Sequence, residues 1–105
     1  MSKFESVNVV KAANVYFNGN VSSRTVEFSD GTTKTLGLML PGEYTFNTEK
    51  PELMEITSGQ ASYCLAGDDN WQSVSGGESF NVPGDSSFQI KVEQITDYIC
   101  SFLDS

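Results

Sequence analysis

The chain has 105 residues, enough for one domain with a single small core. Its formal net charge is −8, with 6 Lys and Arg against 14 Asp and Glu, and it contains no histidine. Such a balance excludes the basic footprint that a nucleic acid polymer or an anionic membrane requires. Because no apolar run approaches a membrane span and the first residues do not read as a signal peptide, we expect one cytoplasmic domain over residues 1–105.

The two cysteines, Cys64 and Cys100, lie in apolar segments with strand-like composition. Disulfides are rare in cytosolic proteins, so we expect two buried free thiols. A zinc site needs more nitrogen or sulfur ligands than two cysteines and no histidine readily supply. A Cys–His catalytic pair is excluded because the chain has no histidine.

Almost every segment after residue 20 has the composition of a short strand, whereas residues 6–13 are ambiguous. Glycine, proline and aspartate separate these segments, and no window longer than about ten residues has a helical apolar period. This pattern is typical of an all-β sandwich or closed barrel. The predicted strands are 21–28, 32–40, 43–47, 53–57, 61–65, 71–74, 79–82, 87–92 and 96–102.

Asp30-Gly31 predicts a hairpin whose two strands carry Arg24 and Lys34. A two-residue loop would put these cations on opposite faces of the hairpin. A three-residue loop with a bulge at Gly31 would put them on the same face, together with apolar side chains. Arginine offers a fork of donors suited to phosphate, so both cations are candidate phosphate ligands. The alternative is that both are solvated surface charges.

The spacing of glycine, glutamate and proline resembles the two motifs of cupin barrels. The first motif is roughly G-x5-H-x-H-x3/4-E-x6-G. Glu52 and Gly59 match its end, and Phe46 and Thr48 occupy its histidine positions.

The second motif is roughly G-x5-P-x-G-x2-H. Gly77 and Pro83 match it, while Asp85 replaces its second glycine and Phe88 its histidine. Of the four usual ligands only Glu52 remains, which makes a poor transition-metal site. We therefore expect an all-β, cupin-like (jelly-roll) single barrel that holds no metal and needs no cofactor.

Four longer segments, taken together, resemble the pyrimidine/purine nucleoside phosphorylase family. They are ANVYFNG at 13–19, TLGLMLPGEYTF at 35–46, PELME at 51–55 and GESFNVPG at 77–84. The resemblance runs from about Asn8 to Phe102. It implies a cupin fold, a homodimer, and phosphorolysis of purine and pyrimidine nucleosides to free base and pentose 1-phosphate. That reaction requires neither a metal nor a covalent nucleophile.

The residues at the cupin ligand positions become the candidate site. Glu52 could bind ribose hydroxyls or support the positive charge that develops on the sugar, or it could be a structural carboxylate. Tyr44, Phe46 and Phe88 share the predicted inward parity and could stack on a nucleobase, or they could be ordinary core. Thr48 could offer its hydroxyl to phosphate or to the sugar.

Two other functions remain open at this point. The barrel could be a non-enzymatic module that binds a sugar or nucleotide, because a fold alone does not fix a function. It could also be a small isomerase or hydrolase that acts on sugars through Glu52. The sequence also leaves open whether phosphate binds inside the barrel or on an outer face.

Overall fold

The computed structural model describes residues 3–103 and consists almost entirely of β-strands. A 3-10 turn, Phe17–Gly19, interrupts the strands near the N-terminal end of the described range. Within the described range, no helix has the length and apolar character needed to cross a membrane. In chain order the strands are β1 (Asn8–Val9), β2 (Asn14–Tyr16), β3 (Val21–Glu27), β4 (Thr33–Met39), β5 (Gly42–Thr48), β6 (Glu52–Ser58), β7 (Gln60–Leu65), β8 (Gln72–Ser75), β9 (Ser79–Val82), β10 (Ser86–Val92) and β11 (Thr96–Phe102).

The strands form two antiparallel sheets that face each other. The larger sheet has seven strands in the order β1-β3-β4-β11-β6-β9, with β2 also paired to β3. The smaller sheet has four strands in the order β5-β10-β7-β8. The all-β prediction is confirmed, and all nine predicted strands are present with each end within one residue of its predicted position. Over residues 3–103 no strand ladder joins the two sheets into a closed barrel.

The Asp30–Gly31 hairpin uses the longer of the two loops considered from the sequence. The Phe28 amide donates to the Thr32 carbonyl at 2.9 Å, and the Gly31 amide donates to the Phe28 carbonyl at 3.0 Å. Gly31 adopts a φ of 90°, a left-handed conformation that strongly favours glycine. The resulting register pairs Arg24 with Leu36 and places Lys34 on the same face of the sheet.

The core lies between the two sheets, and the alternation of side chains along the strands decides which of them enter it. From the larger sheet, Met54 and Ile56 of β6 and Tyr98 of β11 are buried there. From the smaller sheet, Phe88 and Ile90 of β10 are buried with them. Because successive side chains of a strand point to opposite faces, neighbours such as Glu55 lie on the outer face.

Candidate functional site

A cavity of about 470 Å³ opens between the two sheets. This volume is in the range of small-molecule sites. Its lining combines aromatic rings, two carboxylates, a thiol and a cation: Tyr16, Phe46, Glu49, Lys50, Glu52, Phe88 and Cys100. The cavity can therefore surround an organic ligand and present both apolar and charged groups to it.

Glu52, the first residue of β6, brings the carboxylate into this cavity. The side chain is half-buried, and the Cys100 thiol donates a hydrogen bond to its Oε1 atom at 3.5 Å. Loss of solvent raises the pKa of Glu52 above its ordinary value, and the hydrogen bond from Cys100 lowers it in part. The predicted inward orientation of Glu52 is therefore confirmed.

Tyr98 and Cys100 of β11 lie beside Glu52 on the same inner face. Burial raises the pKa of the Tyr98 hydroxyl, and burial together with the Glu52 charge raises the pKa of the Cys100 thiol. Both groups consequently stay protonated at neutral pH, and the Cys100 thiol acts as a donor to Glu52. The expectation of two buried free thiols is confirmed for Cys64 and Cys100.

The aromatic candidates all point inward, as the parity argument predicted. Phe46 and Phe88 line the cavity, with ring centroids 5.4 Å apart and nearly parallel planes. Tyr44 is buried behind them, where its hydroxyl donates to the Leu40 carbonyl at 2.6 Å. Tyr44 packs against Phe17, so it supports the aromatic wall without lining the cavity.

Thr48 also points inward, but both functions of its hydroxyl are engaged within the protein. The hydroxyl donates to the Pro83 carbonyl at 2.7 Å and accepts from the Ser86 amide at 3.0 Å. These bonds hold the end of β5 to the turn between β9 and β10. In this arrangement the hydroxyl proton is directed at the protein backbone.

The two candidate phosphate cations lie on the outer face of the larger sheet, opposite the cavity. Arg24 is exposed and donates to the carbonyl oxygen of Lys11. The Lys34 ammonium lies over the rings of Phe4 and Phe28, at 5.6 and 5.8 Å from their centroids. The structure therefore does not bring Arg24 and Lys34 together with Glu52.

Sequence reasoning did not single out two residues that line the cavity, Tyr16 and Lys50. Of the lining side chains in the described part of the chain, Lys50 is the one that carries a positive charge. The sequence signal that could have identified Lys50 as a site residue is its position two residues before Glu52. Tyr16 precedes Phe17 and Asn18, which both adopt a positive φ, and this turn cannot be predicted from local propensity.

No group of three or more His, Cys, Asp or Glu side chains in residues 3–103 is arranged to hold a metal ion. The Cys100 thiol donates to Glu52 Oε1 at 3.5 Å, and Glu49 is a second carboxylate in the cavity lining. The donor set around Glu52 is suited to polar organic groups.

Fold and site together define a small two-sheet β protein with an aromatic, carboxylate-bearing cavity. The family model of pyrimidine/purine nucleoside phosphorylases matches residues 11–102. A curated relative of that name from Sulfurovum sp. (strain NBC37-1) is 61% identical, over 98% of this chain and 100% of its own length. A second, from Hydrogenovibrio crunogenus, is 60% identical over 99% of this chain and 100% of its own length. The chain belongs to the pyrimidine/purine nucleoside phosphorylase family.

Solved structures share the fold of this chain. A protein of unknown function from Acinetobacter sp. ADP1 superposes with a TM-score of 0.94 at 44% identity, covering 96% of this chain and 98% of that one. An RmlC-like cupin from Shewanella frigidimarina superposes with a TM-score of 0.69 at 16% identity, covering 96% of this chain and 86% of that one. The second likeness concerns the fold alone and identifies it as cupin-like.

Proposed function

We propose that this protein is a nucleoside phosphorylase of broad specificity. It takes a purine or pyrimidine nucleoside and inorganic phosphate and forms the free base and pentose 1-phosphate. The observation that carries the proposal is identity of about 60% to named family members over essentially the whole chain. The cavity supports it, because one compartment offers a carboxylate, aromatic surfaces and a cation.

The chemistry we propose requires charge stabilisation at the sugar. As phosphate attacks C1′ and the base departs, the sugar develops oxocarbenium character, as in glycoside hydrolysis. The ionised Glu52 carboxylate would stabilise this positive charge or hold the ribose hydroxyls. Phe46 and Phe88 would stack on the base, which requires no specific hydrogen bonds and therefore suits a broad substrate range.

The phosphate site has two candidate locations. Lys50 lines the same cavity as Glu52, so it is our first candidate for the phosphate ligand. Arg24 and Lys34 remain the outer-face candidates. For Thr48 to bind phosphate, its hydroxyl must first give up its hydrogen bond to the Pro83 carbonyl. The test compares the KM for phosphate in Lys50→Gln, Arg24→Ala and Lys34→Ala. A rise confined to Lys50→Gln selects the cavity, whereas a rise in the other two variants selects the outer face.

One assay tests the activity itself. Purified protein is mixed with inosine or uridine, with and without phosphate, and base release is followed. We expect release that depends on phosphate and is lost in Glu52→Gln. Release without phosphate would identify a hydrolase. No release from any nucleoside would favour the alternative function, a binding module for a sugar or nucleotide.

We also propose that the two sheets act as one cupin barrel and that the protein is a cytoplasmic homodimer. The outer face of the larger sheet supports self-association, because Val15, Leu36 and Leu38 are exposed there. Leu38→Asp tests this proposal through the molar mass in solution. A dimer that becomes a monomer supports it, and an unchanged mass places the interface elsewhere.

A further inference from the structure

The Cys100 thiol is a buried group that the proposed chemistry does not itself use. It lies on β11, where it pairs with Met54 of β6, while Glu52 of β6 pairs with Phe102 of β11; Cys100 and Glu52 are therefore diagonal neighbours on adjacent strands. Only 5% of Cys100 is exposed, and the part that is exposed lines the cavity. Cys100 is therefore a member of the hydrophobic core that also borders the cavity.

We propose that Cys100 is a positioning residue that holds the Glu52 carboxylate in its catalytic orientation and in its ionised form. The inference rests on the proposed role of Glu52. Its geometric basis is the contact of 3.5 Å between the Cys100 thiol and Glu52 Oε1, inside the cavity wall.

The chemistry of the thiol agrees with a donor role. Burial and the nearby carboxylate raise the pKa of Cys100, so the group remains a neutral thiol and is not a nucleophile at neutral pH. A thiol is a weak donor, yet a donor aimed at a charged carboxylate favours the ionised form. Partial burial has the opposite effect on Glu52, and the thiol counteracts that effect.

Other groups face Glu52 and must be kept constant in any test. The titratable and charged groups that line the cavity with Glu52 come from the end of β2, the β5–β6 connection and β11. They are Tyr16, Glu49, Lys50, Tyr98 and Cys100. In the β6–β9 ladder the residue opposite Glu52 is Val82, which does not titrate. A substitution confined to Cys100 leaves all other members of this set in place.

The second cysteine provides a matched control. Cys64 is 7% exposed and its thiol donates to the Asp68 carbonyl at 3.0 Å, so it is a buried donor outside the cavity lining. The experiment compares Cys100→Ala, Cys100→Val and Cys100→Ser with Cys64→Ala. Valine keeps the site dry without a donor, while serine restores a donor of stronger hydrogen-bonding character.

The primary readout is the titration of the Glu52 side-chain carboxyl by carbon NMR, assigned by its loss in Glu52→Gln. We expect the Glu52 pKa to rise in Cys100→Val, to return to or fall below the wild-type value in Cys100→Ser, and to stay unchanged in Cys64→Ala. If Cys100 only packed against its neighbours, the Glu52 pKa would not shift in opposite directions in Cys100→Val and Cys100→Ser. Cys100→Ala serves as a second donor-free variant if valine prevents folding.

Kinetics provide the second readout. Loss of one hydrogen bond to Glu52 should lower kcat by about two- to tenfold with little change in the KM for nucleoside, and serine should restore kcat. Identical Glu52 titrations in wild-type protein and all folded Cys100 variants would overturn the inference. The titration needs no substrate, so absence of phosphorolysis in wild-type protein would refute the proposed function alone.

Discussion

The substitution Thr48→Val separates a structural role of this hydroxyl from a role in phosphate binding. The Thr48 hydroxyl makes two hydrogen bonds, to the Pro83 carbonyl at 2.7 Å and from the Ser86 amide at 3.0 Å. A typical intramolecular hydrogen bond contributes about 0.5–1.5 kcal/mol net, so valine should lower the free energy of unfolding by about 1–3 kcal/mol. For a domain of this size, a loss of about 2 kcal/mol lowers Tm by roughly 8–16 °C.

Urea unfolding at one fixed protein concentration measures this loss, because self-association would otherwise shift the midpoint. Thr48→Ser is the matched control, since serine retains the hydroxyl and should recover most of the stability. We expect the KM for phosphate to be unchanged in both variants. If Thr48→Val keeps the wild-type urea midpoint and raises the KM for phosphate, the hydroxyl serves phosphate and the reasoning from its backbone bonds is refuted.

Three further predictions address the cavity. Phe46→Ala should raise the KM for nucleosides by about tenfold through lost stacking, whereas Trp71→Ala, outside the lining, should not; steady-state kinetics decide. Loss of solvent on folding raises the pKa of Glu52 above its ordinary value of 4.5, so the folded state loses stability as pH rises through the folded pKa. The urea midpoint of Glu52→Gln should therefore increase relative to that of wild-type protein as pH rises. A difference between the two midpoints that does not change with pH would contradict this. Gly37→Ala would place its Cβ 2.6 Å from the Tyr98 ring, so thermal melts should show a loss of about 1–3 kcal/mol.

The inner residues could be predicted wherever strand alternation alone decides orientation. Glu52, Phe46 and Phe88 occupy positions fixed by the spacing of turns, and the structure places all three at the cavity. The same local rule gave the shared face of Arg24 and Lys34, provided that the loop contained three residues. These predictions succeeded because they depend on a period of two and on turn length.

Which face of the β3–β4 hairpin enters the core could not be predicted from the sequence. Leu36 and Leu38 are the more apolar set on β4, yet they are 38% and 45% exposed on the outer face. The inner face of β4 instead carries Thr35 and Met39, both of which line the cavity. A polar residue on an inner face is unfavourable for a core but suitable for a ligand cavity, and that choice depends on the opposite sheet.

The two faces of the larger sheet also constrain where phosphate can act. Phosphate must reach C1′ of the same sugar whose base is stacked, so base, sugar and phosphate sites have to share one compartment. Phe46, Glu52 and Lys50 share the cavity, whereas Arg24 lies across the sheet in a groove with Leu36. If Phe46→Ala weakens nucleoside binding while Arg24→Ala weakens phosphate binding, no single chain can hold both substrates for reaction. The substitutions that weaken nucleoside binding and those that weaken phosphate binding should therefore lie on one face of the sheet. The cavity face carries the larger set of groups suited to bind both substrates.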